Sequence, residues 1–258
     1  MIVISGSDGQ QIDMLQLAPF ERDILQQKDQ SPVVYRYSSA DALRFELQTR
    51  SRIVDAARAL NASGVHFATF DESRCNERFW TRTANGGFRL RYGVLPSDGI
   101  YDIFRNGDLY AFECAAAIVI VLYKAVLDMI GPGPFNAYFA DLLLYNWNYD
   151  RDLHLTTTYN INEAYPGDIL YFKNPDYDPK TPEWRGENTV LLGYNMYYGH
   201  GIGIRTSMDI IASLNAKRRF GSMTSAYLTD QVVHPDFEHL RRLPGRIIAR
   251  VGNKRFVC

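Results

Sequence analysis

Paired cysteines are missing from this sequence, and so are a long apolar run and a surplus of either charge. Cys75, Cys114 and Cys258 are the only cysteines in 258 residues. None stands at C-x-x-C spacing and no histidines complete a zinc pattern, which argues against a disulfide framework and gives no reason to expect a metal or other cofactor. The most apolar stretch, 115–123, stops at Lys124. A membrane span needs ~20 such residues, so this stretch reads as a buried helix. With 28 basic and 29 acidic residues the net charge is −1, which provides no field for steering nucleic acid or an anionic membrane. Met1-Ile2-Val3-Ile4-Ser5-Gly6 contains neither a basic region nor a long apolar one, so no signal peptide is expected. No repeat or Pro/Gly/Ser linker divides the chain. The expectation is one domain over residues 1–258, with an irregular N-terminal arm at about 1–37 and a basic C-terminal tail at about 234–258.

Aromatic residues are plentiful, with 17 Tyr and 14 Phe. They imply a well-filled core, a groove lined with rings, or both. Ser38-Ser39-Ala40-Asp41 opens a helix, in which Leu43, Leu47, Ile53, Ala57 and Leu60 follow at helical spacing, and Gly64 closes it. Strands are predicted at 65–70, 78–82 and 87–92, with Asn85-Gly86-Gly87 turning between the last two. A short helix over 96–104 precedes a long one from about 109 to 130, which Gly131-Pro132-Gly133-Pro134 ends. Another helix follows near 135–144. Strands at 168–172, 188–192 and 196–204 and a helix at 207–214 complete the plan. Without an alternating strand–helix rhythm, the fold class is α+β.

Cys114 stands near the front of the most apolar helix. The thiolate is the nucleophilic form of cysteine, and the positive end of a helix lowers a thiol's pKa within its first turn. Taken alone, the position fits an ordinary buried thiol better. A second feature lies downstream. If Gly193-Tyr194 forms a two-residue type II′ turn, Leu192 pairs with Asn195 and Glu187 falls opposite His200. Cysteine, imidazole and carboxylate would then supply nucleophile, base and orienter. The alternative is a structural Glu187–His200 cross-strand pair. Glu113 is turned ~100° from Cys114 on a helix. It reads as a supporting carboxylate, a substitute partner for His200, or an early-helix acid complementing the dipole.

At these residues the chain resembles a known family. Phe67-Ala68-Thr69-Phe70, Tyr110-Ala111-Phe112-Glu113-Cys114-Ala115, Leu170-Tyr171-Phe172-Lys173-Asn174-Pro175, Trp184-Arg185-Gly186-Glu187-Asn188 and Ser225-Ala226-Tyr227-Leu228 are similar to the small bacterial transglutaminases of Bacillus-type spore coats. The resemblance runs from about residue 30 to 230. It implies a protein-glutamine gamma-glutamyltransferase with a papain-like or NlpC/P60-like cysteine-enzyme core and no need for calcium. It maps the nucleophile to Cys114, the histidine to His200 and the carboxylate to Glu187, with Glu113 also in place. The implied partners are glutamine- and lysine-bearing coat proteins, and the implied location is the mother-cell cytoplasm followed by the spore coat. A transferase must keep its acyl-enzyme dry while admitting a lysine stem, a task for aromatic walls. Phe67, Trp147, Tyr171, Trp184 and Tyr198 are the candidate lining, each of which could equally be core packing. The oxyanion donor is expected to be the Cys114 N–H, with Asn174 and Asn188 as side-chain options. Cys75 reads as a loop thiol, and His66, His154, His234 and His239 have no metal-binding spacing. Past Glu238 the tail is basic without an acidic residue, a solvated edge or a docking strip for an acidic coat protein. An NlpC/P60-like amidase or peptidase, or a non-enzymatic coat component, are the alternatives in function.

Overall fold

The computed structural model describes residues 1–5 and 17–245, and the backbone of 248–251 and 254–257. The part of the expected basic tail beyond residue 245, with Cys258, therefore lies outside the described side chains. The N-terminal arm is more regular than expected. Strand β1 (Ile2–Ile4) pairs in parallel with β2 (Tyr35–Tyr37), and helix α1 (Pro19–Gln30) lies between them in sequence.

Helix α2 (Ala40–Ala62) starts where Ser39 accepts a hydrogen bond from the Ala42 N–H. Gly64 follows it at φ +86°, where an added Cβ would lie 2.3 Å from Asp108 Oδ1, so only glycine lets the chain turn there. Short strands come next: β3 (His66–Phe67), β4 (Trp80–Arg82) and β5 (Phe88–Leu90). After helix α3 (Pro96–Arg105), strand β6 (Ala111–Phe112) pairs in parallel with β3. This pairing claims residues that periodicity alone assigned to the long helix. Helix α4 (Cys114–Ile130) thus begins at Cys114 rather than near 109, and Gly131 at φ +79° ends it. Helix α5 (Pro132–Tyr138) is shorter than the predicted 135–144, because Leu142 and Leu144 turn toward the small sheet, where β7 (Leu143–Leu144) joins β5.

The main sheet is antiparallel throughout. It holds β8 (Leu155–Thr158), β9 (Ile169–Lys173), β10 (Gly186–Gly193), β11 (Met196–Gly199), β12 (Gly203–Thr206) and β13 (Tyr227–Pro235) in the order β12-β11-β10-β9-β13-β8. The single strand expected at 196–204 is two, β11 and β12, folded back on each other. Period-two alternation sorts the sheet residues into two layers. Ile169, Val190, Tyr198 and Val233 join the main core around α4, while Leu170, Phe172, Tyr197 and Val232 join a second cluster with Ile210 and Leu214 of helix α6 (Ser207–Asn215). Helix α7 (Phe237–Arg242) and the hairpin of β14 (Ile248–Val251) and β15 (Lys254–Val257) end the chain. The mixed α+β class is as expected.

α1, α2 and the sheet are joined by buried ions. Glu46 bonds Lys28 at 2.9 Å and Arg50 at 2.8 Å, and Arg50 bonds Asp168 at 2.6 Å. Burial opposes the Glu46 charge, but Arg50 and Lys28 outweigh it and hold the carboxyl down to about 2. Its stabilising contribution is therefore full above the unfolded carboxyl value and disappears only as the pH falls toward 2. Replacing Arg50 with methionine leaves Asp168 buried without its cation and Glu46 with one of two. The expected loss in urea unfolding is ~3–5 kcal/mol, and a loss under ~1 kcal/mol would contradict the assignment of this network as a unit.

Candidate active site

Cys114 is the first residue of α4 and is half-buried. Glu113 caps the helix, and its carboxylate accepts from the N–H groups of Ala115 and Ala116, both at 2.8 Å. The same carboxylate receives the thiol, with Cys114 Sγ to Glu113 Oε2 at 3.7 Å. The free donors of the helix end are thus directed at a carboxylate rather than at sulfur. Burial, then Glu187 and Glu113, push the Cys114 thiol above its ordinary value, and the Asn188 donors only partly oppose this. The thiolate expected at the helix mouth is therefore a neutral thiol in this state.

The β10–β11 hairpin differs from the turn assumed in sequence. Tyr194 and Asn195 both have positive φ, 49° and 58°, which is the type I′ pattern rather than II′. Gly193 pairs with Met196, a bulge at Leu192 follows, and Leu191 pairs with Tyr197 and Thr189 with Gly199. The count therefore brings Asn188, not Glu187, level with His200, and a one-residue slip exchanges sheet faces. Asn188 shares the α4 face with Val190, and its amide Nδ2 donates to Cys114 Sγ at 3.7 Å. Tyr171 pairs with Asn188 in register and lies on this face too.

Glu187 points to the other face. It is buried beneath Gly199, where an added Cβ would lie 2.8 Å from its Oε1, and it accepts the Gly201 N–H at 3.4 Å. It holds the backbone of the turn that carries His200 rather than the imidazole. Burial, with Glu113's charge adding to it, raises the Glu187 carboxyl to about 8 against the pull of the Gly201 and His200 N–H groups. At neutral pH it is mostly protonated.

The His200 ring is held by other groups. Nε2 lies 3.2 Å from the His66 carbonyl oxygen and Nδ1 3.1 Å from Tyr198 Oη. A carbonyl can only accept, so Nε2 carries the proton and Nδ1 accepts from the tyrosine. Phe112 stacks on the ring at 4.9 Å, and Phe67 lies 6.2 Å away. Burial depresses the imidazole to about 4, with the His66 and Phe112 carbonyls opposing. Neither ring nitrogen is bonded to Cys114 in this state. The partners of His200 were partly legible, since Tyr198 and His200 lie two apart on one strand face; the β3–β6 pairing that brings His66 and Phe112 was not.

Among the predicted lining residues, Phe67 stands between His200 and Trp184, whose ring is 6.0 Å away. Tyr198 is buried and Tyr171 half-buried on the α4 face. Two expectations are corrected. Asn174 is buried as a clamp, donating to the carbonyls of Trp184 and Leu214, both at 3.0 Å, and is no oxyanion donor. Trp147 packs against the main core, and among the described contacts none joins it to Cys114 or His200. Cys75 is pushed up to about 11 by burial and then Glu77. Among the described residues no His/Cys/Asp/Glu group is arranged to hold a metal ion, and no helix is long and apolar enough to cross a membrane.

A half-buried thiol at a helix start, a carboxylate placed to take its proton, an amide on the sulfur and an aromatic-held imidazole can together carry acyl transfer through sulfur. The comparisons with known proteins agree in class. The family model described as protein-glutamine gamma-glutamyltransferase matches residues 1–244. A protein-glutamine gamma-glutamyltransferase of Bacillus pumilus is 46% identical over 247 residues, covering 95% of this chain and all of that one. One from Halalkalibacterium halodurans is 47% identical over 212 residues, 82% of this chain and 74% of its own. The solved structure of a transglutaminase from Geobacillus stearothermophilus, without its C-terminal extension, superposes with a TM-score of 0.75 at 52% identity, over 81% of this chain and 98% of that one. The chain belongs to the protein-glutamine gamma-glutamyltransferase family, the bacterial transglutaminases of Bacillus type.

Proposed function

We propose that this chain cross-links spore-coat proteins through a cysteine thioester, with Cys114 as nucleophile and Glu113, His200 and Glu187 as its acid–base and positioning groups. The observation that carries this reading is the Cys114 thiol at the first residue of α4, in contact with both the Glu113 carboxylate and the Asn188 amide. On this reading Glu113 takes the thiol proton as sulfur attacks the γ-carboxamide carbon of a substrate glutamine. A C–S bond forms, the C–N bond breaks, and ammonia leaves with the proton that Glu113 took from the thiol. A lysine amine then attacks the thioester carbon. The C–N bond of the isopeptide forms, the C–S bond breaks, and the amine proton returns to sulfur. Phe67, Tyr171, Trp184 and Tyr198 keep water from the thioester, and the Cys114 N–H with Asn188 Nδ2 supports the oxyanion. A buried helix bearing the cysteine, laid on an antiparallel sheet bearing the histidine, supports a papain-like or NlpC/P60-like core in a single domain over 1–258.

Placement in the spore coat, with synthesis in the mother-cell cytoplasm, rests on the Bacillus-type motifs. Calcium independence belongs to the same reading. The test is incorporation of a labelled primary amine into a glutamine protein. Wild type is expected to incorporate label equally with and without a chelator, and Cys114→Ala to lose at least ~10⁴-fold, since no other group can form the acyl intermediate. Label incorporation by Cys114→Ala near the wild-type rate would refute the reading. Peptide cleavage by wild type without amine would instead favour the amidase or peptidase alternative.

A further inference from the structure

Trp184, at the outer end of the aromatic row from His200, sits on a stretch tied to the loop that follows α6. The Asp178 N–H bonds the Lys217 carbonyl at 3.1 Å, and the Arg219 N–H bonds the Asp176 carbonyl at 3.0 Å. The Asp176 carboxylate accepts from Arg219 at 3.1 Å and from Ser222 at 2.8 Å, and Lys217 Nζ lies 4.9 Å over the Trp184 ring. This loop is fixed from within, yet Phe220 and Met223 stand fully exposed on it. Apolar side chains presented on a tethered loop need no ordering to bind.

The charge around them is uneven in a chain whose net charge is −1. Lys173, Lys180, Arg185 and Lys217 are exposed, and among the described residues none is in an ion pair. Lys173 follows Tyr171 by two residues on β9 and so points to the α4 face, on the side of Cys114. The nearby acids are fewer: Asp176 is engaged by Arg219, leaving Asp178 and Glu183.

We propose that the 174–185 and 216–226 loops, with Lys173, form a docking platform for the glutamine-bearing substrate, and that the platform selects a segment whose glutamine is flanked by acidic residues and one apolar side chain. The proposal rests on the reading of Cys114 as nucleophile. The cations attract an acidic donor segment and repel lysine-rich acceptors, so the donor is favoured in the first half-reaction. Phe220 and Met223 would cover the donor's apolar residue.

The experiment uses three single-glutamine peptides, acidic with one phenylalanine, neutral, and basic. Labelled-amine incorporation is measured with each, and their binding to full-length Cys114→Ala is followed by fluorescence anisotropy. Wild type is expected to favour the acidic over the basic peptide by about 10-fold or more in kcat/KM at low salt, with the ratio narrowing in 0.5 M salt as charges are screened. Lys180→Glu with Lys217→Glu should reverse the order. Phe220→Ser with Met223→Ser should raise KM for the acidic peptide about 10-fold while leaving turnover of a blocked glutamine dipeptide unchanged. Equal binding of the three peptides, unmoved by either pair of substitutions, would overturn the platform. Loss of turnover with every substrate would overturn the transferase reading instead, and the binding order would still decide the platform.

Discussion

Replacing Glu187 with glutamine is expected to make the fold more stable at pH 8–9 and to change it little at pH 4. The reason is the raised carboxyl. In the unfolded chain Glu187 releases its proton near its ordinary value, 4.5, whereas in the fold it keeps the proton up to about 8. Between those values the folded state binds the proton that the unfolded state has lost. Stability therefore falls as the pH rises from the lower value to the higher, and above about 8 the deficit is constant. The deficit is on the order of 3–5 kcal/mol. Glutamine removes it, offset in part because its amide needs a partner where the carboxyl is held by Gly201. In a chain of this size the midpoint of thermal unfolding should rise by roughly 5–10 °C at pH 8–9. A gain of equal size at pH 4, or a loss at pH 8, would show that Glu187 is not held protonated by its burial. The substitution should also speed alkylation of Cys114 only above about pH 8, since below that the native carboxyl is already neutral and adds no charge against the thiolate.

The same residue shows where the sequence was readable and where it was not. Cys114 was legible as a candidate: its position at the front of an apolar helix fitted a buried thiol as well, and the family resemblance singled it out. The start of that helix was not, because it depends on Ala111 and Phe112 pairing with His66 and Phe67, more than 40 residues earlier. Such pairing leaves no periodic trace. His200 and Glu187 were both recognised, but their relation hung on one turn. Tyr194 and Asn195 take left-handed conformations after Gly193, and Leu192 bulges. A non-glycine pair with positive φ is a poor bet from composition, so the type II′ reading was natural and its register wrong by one. That slip placed Glu187 against the imidazole, whereas alternation puts Asn188, expected only as an oxyanion option, on the sulfur's side. Asn174 and Trp147 failed differently. A buried amide and a half-buried indole are used by the core and by the site alike, and only their neighbours distinguish the two uses.

For Glu113→Gln, thiol reactivity and transfer activity are expected to move in opposite directions. One carboxylate here caps the helix through Ala115 and Ala116 and accepts the thiol's hydrogen bond. Glutamine keeps one oxygen acceptor, so one capping hydrogen bond survives and the other is lost, at a cost of about 1 kcal/mol in stability. The Cys114 thiol is pushed up by burial first and by Glu187 and Glu113 after it. Removing the Glu113 charge therefore makes the thiolate easier to form. Alkylation by iodoacetamide at a fixed pH should become faster. On the proposed mechanism amine incorporation should nevertheless fall by about 10²–10³-fold, because Glu113 is its proton acceptor and, among the described residues, no other carboxylate or imidazole is hydrogen-bonded to the thiol. Were Glu113 only a helix cap, both rates would shift slightly and together, with the loss confined to stability. Were it only an electrostatic brake on the thiol, both would rise. Opposed changes require that the carboxylate act on the proton itself, and they would place the base of this enzyme on the residue beside its nucleophile rather than on the distant hairpin.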